Sequence, residues 1–394
     1  MIVIQNPKIE EYRDRARLTA NIDVDGTTRA VWFEVDPAYG EFLCFERSDA
    51  FVVGLLNWAM RNGHDIVCEA PVTEELLYQI TEFLIPSLSK SSNALKAIKI
   101  EATTAPSLSN ARAVGTGISC GIDSFHVLAK HINSNYNSFK LTHLVHNNVG
   151  AFDVYKEKSY EVREALIKRA QKVADAVGLK LIVSDSNLAS AFPQNHSYTH
   201  SFSSCFAVHA LQKLWTVYYY ASAGHTFAEF NLNNNERLDS ANYDLLTLDC
   251  FSTRSLKIYS EGGAKTRLEK TMTVADYLPA RTFLHVCLKE SNNCGVCMKC
   301  RRTLVMFDAL NKLDEFNTVF DVKYYRRKRG QYMTWMVRQF FLGDSFMDDP
   351  VSVLRNKVTP LNWVCGFSRA LFARGYRAGA NNKLLRRIFL KRPV

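Results

Sequence analysis

Two segments of this chain carry residues whose types and spacing suit chemistry. The first is SCGIDS at positions 119–124, which follows small and β-branched residues and precedes apolar residues at helical spacing. A tight turn between a strand and a helix directs backbone N–H groups outward at the positive end of the helix dipole, which favours phosphate. The loop lacks the Gly-Lys pair of the Walker motif, so that class of nucleotide site is excluded. The alternative is an ordinary capped corner.

The individual residues of this loop suit an anion site. Gly121 permits a left-handed or closely approached backbone, and Asp123 or Ser124 can cap the following helix. The hydroxyl groups of Ser119 and Ser124 can donate hydrogen bonds to phosphate oxygens. The loop therefore predicts a phosphate site if it joins a strand to a helix.

The second segment is a cysteine cluster. Four of the ten cysteines follow one another as C-x6-C-x2-C-x2-C, at Cys287, Cys294, Cys297 and Cys300. Four thiolates at such spacing suit tetrahedral Zn²⁺, and four protein ligands leave no open position for chemistry. A redox pair would need only one C-x2-C. We therefore expect a structural zinc site, with free thiols or a redox pair as the alternatives.

The elements that would position the first segment alternate in type along the chain. Strand-like and helix-like runs follow each other three times: AVGTGIS and SFHVLAKHI, KLTHLVHN and SYEVREALIKRAQKVADAVG, LKLIVSDS and SSCFAVHALQKLWTVYYYASAG. This alternation predicts a parallel sheet with helices on both faces, which binds ligands at the carboxyl ends of its strands. Residues 119–124 follow the first of these strands. The last run predicts that Tyr218, Tyr219 and Tyr220 pack within a helix.

The flanking parts of the chain predict two further regions. Residues 1–108 indicate an α+β accessory domain, with a hairpin at Asp25-Gly26, a helix within RSDAFVVGLLNWAMRNG at residues 47–63 and a second helix capped by Thr73. Residues 109–320 form the predicted α/β domain with the cysteine cluster. Residues 321–394 predict a basic helical region.

Charge is concentrated in that last region. Residues 321–394 contain 16 Lys or Arg against 4 Asp and no Glu, a net charge of +12, whereas residues 1–320 carry −2. A basic region of this kind can bind nucleic acid, an anionic membrane surface or an acidic partner. The alternative is that its charges only keep a helical cap soluble. The sequence shows no secretory signal and no apolar run long enough to cross a bilayer, which predicts a soluble, cytoplasmic protein.

SCGIDS resembles the SGGxDS pyrophosphate loop of the N-type ATP pyrophosphatases, the PP-loop superfamily. Ser119, Gly121, Asp123 and Ser124 match that pattern, and Cys120 stands where the family has its first Gly. With the four-cysteine segment some 160 residues later, the order of motifs resembles the 7-cyano-7-deazaguanine synthases and their relatives. The resemblance covers residues 112–310, and QNHSYTHSFSS replaces the Gly-Arg-Asn stretch of those synthases.

The resemblance implies a fold and an activity. The fold would be an adenine-nucleotide alpha-hydrolase-like α/β sheet with a zinc knot, flanked by the N-terminal α+β domain and the basic helices. The activity would be that of an ATP-dependent ligase or synthase. A substrate carboxylate or carbonyl oxygen becomes adenylated with release of pyrophosphate, and ammonia or another nitrogen donor then displaces AMP. The deazaguanine substrate itself is not expected to be held in the same way, because the Arg is missing.

The resemblance also implies site residues. The loop residues Ser119, Cys120, Gly121, Ile122, Asp123 and Ser124 would bind the phosphates of ATP with Mg²⁺. Asp123, Arg267 and Lys270 would be catalytic, with the two cations neutralising pyrophosphate; the alternative for the cations is a solvated helix face. His196 and His200 are candidates for acid–base or substrate contacts, or are ordinary cap residues. Glu229 either lines the substrate pocket or belongs to a common polar loop.

Two further functions stay open from the sequence. One is modification of tRNA or another macromolecule, with the basic region as the docking surface. The other is a non-catalytic nucleotide-binding or scaffolding protein, which Cys120 suggests. We also expect a homo-oligomer.

Overall fold

The fold places the loop 119–124 inside a large, mostly parallel sheet of a mixed α/β structure. The computed structural model describes residues 1–151, 159–222, 226–232 and 239–380. Two units, Met1–Lys265 and Thr266–Val394, divide the chain by their internal contacts. Each unit is described separately below.

The described residues contain the following strands and helices. The strands are β1 (Ile2–Ile4), β2 (Lys8–Tyr12), β3 (Arg15–Val24), β4 (Thr27–Val35), β5 (Ile66–Cys68), β6 (Val72–Thr73), β7 (Ile100–Glu101), β8 (Thr104–Ala105), β9 (Ala113–Gly117), β10 (His143–Asn148), β11 (Lys180–Ser186), β12 (Trp215–Ala221) and β13 (Lys257–Glu261). The α-helices are α1 (Asp49–Asn62), α2 (Glu74–Gln79), α3 (Ile85–Ser91), α4 (Ile122–His131), α5 (Ser159–Val177), α6 (Leu188–Ala191), α7 (His196–Ala210), α8 (Asp244–Cys250), α9 (Arg267–Ala275), α10 (Leu278–Phe283), α11 (Met298–Ala309), α12 (Val322–Phe341), α13 (Asp348–Leu354) and α14 (Pro360–Ala380).

The first unit is organised by an 11-stranded sheet in the order β13-β12-β9-β10-β11-β4-β3-β1-β5-β7, with β2 paired to β3. The five strands from β13 to β11 are all parallel to their neighbours. After β9 the chain adds β10 and β11 on one side and then β12 and β13 on the other. This reversal of direction lies beside β9, and in such sheets ligands bind at the carboxyl ends of the strands at that point.

The N-terminal residues extend the same sheet. Asp25 and Gly26 both have positive φ, at 51° and 87°, as the tight turn of the predicted β3–β4 hairpin requires. Strand β4 then pairs antiparallel with β11 through Asp185 with Glu34 and Ser186 with Phe33. The predicted boundary between residues 108 and 109 therefore lies within a unit whose sheet is continuous across it.

Two N-terminal helices agree with the sequence-based prediction. Helix α1 ends at Gly63, whose φ of 75° gives the left-handed C-cap conformation that glycine adopts without strain. Helix α2 has Thr73 at its N-cap position, but the Thr73 side chain makes no capping hydrogen bond, because its hydroxyl donates to Asp49 Oδ2. The face of α1 at Gly54 packs closely on α7, since a Cβ there would lie 3.0 Å from Phe206 Cδ2. These contacts join the N-terminal helices to the core of the parallel sheet.

One sequence-based prediction is wrong. The expected helix over SSCFAVHALQKLWTVYYYASAG ends at Ala210, and the residues from Trp215 to Ala221 form β12. The run WTVYYYA consists of aromatic and β-branched residues that pack well on a sheet, and its length does not distinguish a buried strand from a buried helix. Tyr218, Tyr219 and Tyr220 are therefore buried strand residues next to β9.

The second unit consists of helices in its described part. Helices α12 and α14 agree with the helical region predicted from residue 321 onward, and α14 is described as far as Ala380. The two helices pack closely, because a Cβ at Gly366 would lie 2.6 Å from Val337 Cγ1. Residues 381–394 of the predicted basic region lie outside the described residues. No described helix combines the length and the apolar composition needed to cross a bilayer.

We expect the first unit to lose stability as the pH falls. Burial lowers the pKa of His143 to about 4 from the ordinary value of 6.5. As the pH falls, His143 is protonated in the unfolded chain before it is protonated in the folded chain. The free energy of unfolding therefore decreases as the pH falls from 6.5 toward 4. Between about pH 7.5 and about pH 5, the free energy of unfolding should decrease by about 2 kcal/mol less in His143→Gln than in the parent. Urea unfolding followed by circular dichroism measures this, and equal losses in both proteins would contradict it.

Candidate functional site

The loop after β9 occupies the predicted position between a strand and a helix. Ile118 N–H donates to Val145 O at 2.8 Å and ties the start of the loop to β10. Gly121 is the N-cap residue of α4, so the cap position is not held by Asp123 or Ser124 as predicted. Because a glycine has no side chain with which to cap a helix, this helix start suits an anion from outside the chain.

Hydrogen bonds within the loop hold its two serines together. Ser119 Oγ lies 3.2 Å from Ser124 Oγ and accepts the N–H of Gly121 at 3.3 Å. Ser124 Oγ also lies 3.2 Å from Gly121 O, to which it can donate. The two hydroxyl groups are therefore already arranged beside the helix start before any ligand binds.

Cys120 adopts the backbone conformation that favours glycine. Its φ is 58°, in the left-handed region, and its side chain is buried. Burial raises the pKa of the Cys120 thiol to about 12, so the sulfur is uncharged at neutral pH. The loop thus keeps a left-handed turn at the position where the resembled motif has glycine, and Cys120 adds no negative charge that would repel phosphate.

Arg169 is a candidate residue that sequence reasoning missed. It lies on α5, and its guanidinium lies near enough to Cys120 to interact electrostatically with the thiolate form of that residue. A cation near the loop would favour a bound polyphosphate. The sequence offers no signal for this role, because α5 contains several Lys and Arg at helical spacing and only the packing of α5 selects one of them.

Polar side chains meet at the carboxyl ends of the neighbouring strands. Asn147 at the end of β10 accepts a hydrogen bond from Ser184 Oγ at 2.6 Å and is hydrogen-bonded to Tyr218 of β12. Asp244 accepts from Ser222 Oγ and from Ser260 Oγ, each at 2.8 Å, at the ends of β12 and β13. Polar residues directly after the apolar runs LVH, LIV and VYYY are the sequence signal for this edge.

His200 joins this edge, whereas His196 lies beside it on the same helix. His200 Nδ1 is hydrogen-bonded to the hydroxyl of Tyr220, and its Nε2 lies 3.0 Å from Asp239 Oδ1. The rings of His196 and His200 are 5.8 Å apart between centroids. Because Tyr220 follows the residue of β12 that pairs with Thr116 of β9, His200 lies on the side of the sheet edge where the loop begins.

Glu229 is engaged locally. One of its carboxylate oxygens accepts the N–H of Thr226 at 2.8 Å and lies 3.0 Å from the Thr226 hydroxyl, which completes a capping box. Glu229 therefore stabilises the start of a short 3-10 helix. The remainder of the predicted polar loop, residues 233–238, lies outside the described residues.

Arg267 and Lys270 belong to the second unit. Both lie in the first turn of α9, as predicted, after a capping box formed by Thr266 and Glu269. Lys270 is 1 % exposed, so the alternative of a solvated helix face does not hold for this residue. A buried lysine is unusual and depends on polar partners in its surroundings.

The four predicted cysteines come together in the second unit. The sulfur atoms of Cys287, Cys294, Cys297 and Cys300 all lie within 4.8 Å of one another, as ligands of one metal ion such as zinc would. Cys297 is the N-cap residue of α11, and Cys300 follows one turn later. Backbone N–H groups point at two sulfurs, from Cys297 to Cys294 Sγ at 3.3 Å and from Lys289 to Cys287 Sγ at 3.4 Å.

The charges that the four thiols can carry indicate a cation. A hydrogen bond from Cys300 lowers the pKa of Cys297 to about 4. The same bond raises the pKa of Cys300 far above its ordinary value. Two sulfurs this close cannot both ionise without a positive partner, and Zn²⁺ is the ion that tetrahedral thiolates prefer.

Side chains around the cluster hold its loop in place. Asn293 donates to Leu284 O at 2.9 Å and to Val319 O at 3.1 Å, and its side-chain oxygen accepts the N–H of Val286 at 2.8 Å. The hydroxyl of Tyr332 on α12 donates to Gly295 O at 2.9 Å. The cysteines are therefore positioned by α11, by α12 and by a single asparagine that closes the loop.

Comparisons with protein-family models, curated proteins and solved structures find no match for this chain. The observations that bear on function are therefore the strand-end loop with its neighbours in the first unit and the four-cysteine cluster in the second. The cluster agrees with the predicted metal centre. The roles of the loop residues, of His196 and His200, and of Arg267 and Lys270 stay predictions.

We expect a β-branched residue at position 120 to destabilise the first unit. Cys120→Val should lower the free energy of unfolding by about 1 to 2 kcal/mol more than Cys68→Val, because valine tolerates a positive φ poorly. Cys68 is the matched control, since it is also buried but lies in strand β5. Urea denaturation of the three proteins gives the comparison, and equal effects of the two substitutions would refute a strained turn.

We expect the purified chain to contain about one zinc ion, held by the four cysteines. Cys297→Ser should remove most of the metal and lower the melting temperature, because the closed site links the loop to α11. Metal analysis by plasma mass spectrometry and thermal unfolding measure both effects. Cys365→Ser is the control, as Cys365 lies on α14 outside the cluster. Unchanged zinc content in the Cys297 variant would rule out this site.

Proposed function

We propose that the chain is an ATP-dependent, adenylate-forming enzyme of the PP-loop type. The observation that carries the proposal is the loop 118–121, which leads from a central strand into a helix whose N-cap is a glycine. The strand order, read as 3-2-1-4-5 when β9 is counted first, supports an adenine-nucleotide alpha-hydrolase-like sheet. The four-cysteine cluster supports the resemblance to the deazaguanine synthases.

The loop would bind the phosphates of ATP. The first N–H groups of α4 and the hydroxyls of Ser119 and Ser124 would donate to phosphate oxygens, and Arg169 would contribute positive charge nearby. Asp123, the carboxylate in the first turn of α4, would help to hold Mg²⁺, which would offset the negative charge of the phosphates. The left-handed turn at Cys120 supports a functional loop over a degenerate one.

The reaction would proceed in two substitutions. A carboxylate or carbonyl oxygen of the substrate attacks the α-phosphorus, the bond from that phosphorus to the bridging oxygen breaks, and pyrophosphate leaves with the bond electrons. A nitrogen nucleophile, with ammonia as the simplest, then attacks the activated carbon, loses a proton and displaces AMP.

We assign His200, at the strand ends, a role in the second substitution. His200 contacts both a buried tyrosine hydroxyl and a carboxylate, which fixes the orientation of its ring. An oriented imidazole can accept the proton that the nitrogen nucleophile releases. The zinc would be structural, because four thiolates leave no position for a substrate.

We expect the full-length chain to bind ATP with Mg²⁺ and to release pyrophosphate when a suitable carboxylic acid is present. Asp123→Asn should reduce pyrophosphate release by about 100-fold, since the substitution removes a carboxylate from the phosphate loop. Calorimetry measures binding, and a coupled pyrophosphate assay measures turnover with a panel of acids and ammonium.

The matched control is Glu161→Gln. Glu161 is also an acidic residue in the first turn of a helix of the first unit, and it is exposed. Turnover should stay at the parent level in that variant. The proposal is wrong if ATP does not bind even at millimolar concentration, or if both variants lose activity equally.

A further inference from the structure

Helix α14 exposes a row of large apolar side chains. Leu361, Val364, Leu371 and Phe372 are 71 %, 63 %, 50 % and 78 % exposed, respectively. Their spacing of three, seven and one residues places them along one face of the helix. We call these four residues the apolar row. Single exposed apolar residues are ordinary, but four on one face of one helix, interrupted there by Ser368, are not.

The apolar row is not needed for packing within the second unit. The opposite face of α14 packs on α12, where Gly366 and Ala370 are buried and the ring of Phe367 lies 4.9 Å from that of Phe341. Asn362 Nδ2 donates to Gly330 O at 2.9 Å on that same side. Helix α14 is therefore anchored by one face and presents its apolar row outward.

The C-terminal part of the sequence is basic, and two described arginines lie beside the apolar row. Residues 350–394 contain ten Lys or Arg and no Asp or Glu. Within the described part, Arg369 and Arg374 are exposed on α14 and flank the row on its two sides by their helical angles. On the adjacent α12, Arg326, Arg327 and Lys328 are also exposed. On α14, apolar and cationic side chains therefore lie next to each other.

We propose that this surface binds an anionic lipid bilayer, with α14 lying in the plane of the interface. The apolar row would enter the boundary between headgroups and acyl chains, and the flanking arginines would contact lipid phosphates. The apolar row and the basic charge together provide the two signals that stable membrane association needs. The described helices contain no membrane-spanning candidate, which agrees with a helix that lies on the bilayer.

Charge favours this partner over the two other candidates. A second copy of the chain would bring two strongly basic surfaces together, because residues 321–394 carry a net charge of +12. Nucleic acid would use the arginines, but its phosphate backbone gives no favourable surroundings to Leu361, Val364 or Leu371. An anionic bilayer satisfies both the charges and the aliphatic side chains. This proposal does not depend on the adenylation activity.

The test is sedimentation of the full-length chain with vesicles. Vesicles of phosphatidylcholine with a third of phosphatidylserine should pellet the parent protein, and pure phosphatidylcholine should pellet much less. The double variant Leu371→Ser with Phe372→Ser should bind the anionic vesicles at least about tenfold more weakly than the parent, since two apolar side chains no longer enter the interface. Arg369→Gln with Arg374→Gln should lower binding and its dependence on salt.

The matched control is Tyr78→Ser with Phe83→Ser, which removes two exposed aromatic side chains from the first unit. Its vesicle binding should equal that of the parent. The proposal is overturned if anionic vesicles do not bind the parent, or if the two double serine variants lose binding equally. It is also overturned if light scattering shows a dimer that only the α14 variant abolishes, or if RNA binds the parent and the apolar-row variant equally while vesicles do not.

Discussion

The position of β9 between β10 and β12 is the constraint on which the first unit depends. The hydrogen bonds of three parallel strands set this position, and a close contact maintains it, because a Cβ at Gly115 would lie only 2.7 Å from Trp215 Cζ3. From this register follow the start of the loop at Ile118, the helix start at Gly121 and the line of polar side chains along the strand ends. The N-terminal residues reinforce the same sheet through β4 and β11.

The two candidate sites differ in how the chain builds them. The loop around Cys120 depends on one residue held at a positive φ by the strand before it and the helix after it, with the thiol buried beneath. The cysteine cluster depends on four sulfurs that a metal ion would unite, with Asn293 and Tyr332 holding the backbone around them. The loop around Cys120 therefore depends on backbone geometry, whereas the cysteine cluster depends on metal coordination. A substitution in the loop should accordingly act through backbone strain, and a substitution of a cluster cysteine should act through loss of the metal.

The second unit contains both the four-cysteine cluster and the exposed apolar row of α14. Helix α14 is packed on α12 through small residues such as Gly366, which lets the two backbones approach closely. That close approach leaves the apolar row and the flanking arginines outside the contact. The same sequence that looks simply basic in composition is therefore amphipathic in structure, and this property is the one on which the proposed membrane binding rests.

The sequence by itself determined the features that depend on neighbouring residues. These include the Asp25-Gly26 turn, the strand-to-helix position of residues 119–124 and the cysteine spacing, because turn and ligand preferences act over a few residues. Only the tertiary structure decided that Tyr218 to Tyr220 lie in a strand, that Lys270 is buried, and that Arg169 lies near Cys120. Each of these outcomes depends on partners distant in sequence. The continuous sheet across residue 108 belongs to the same class, since the pairing of β4 with β11 joins segments about 150 residues apart.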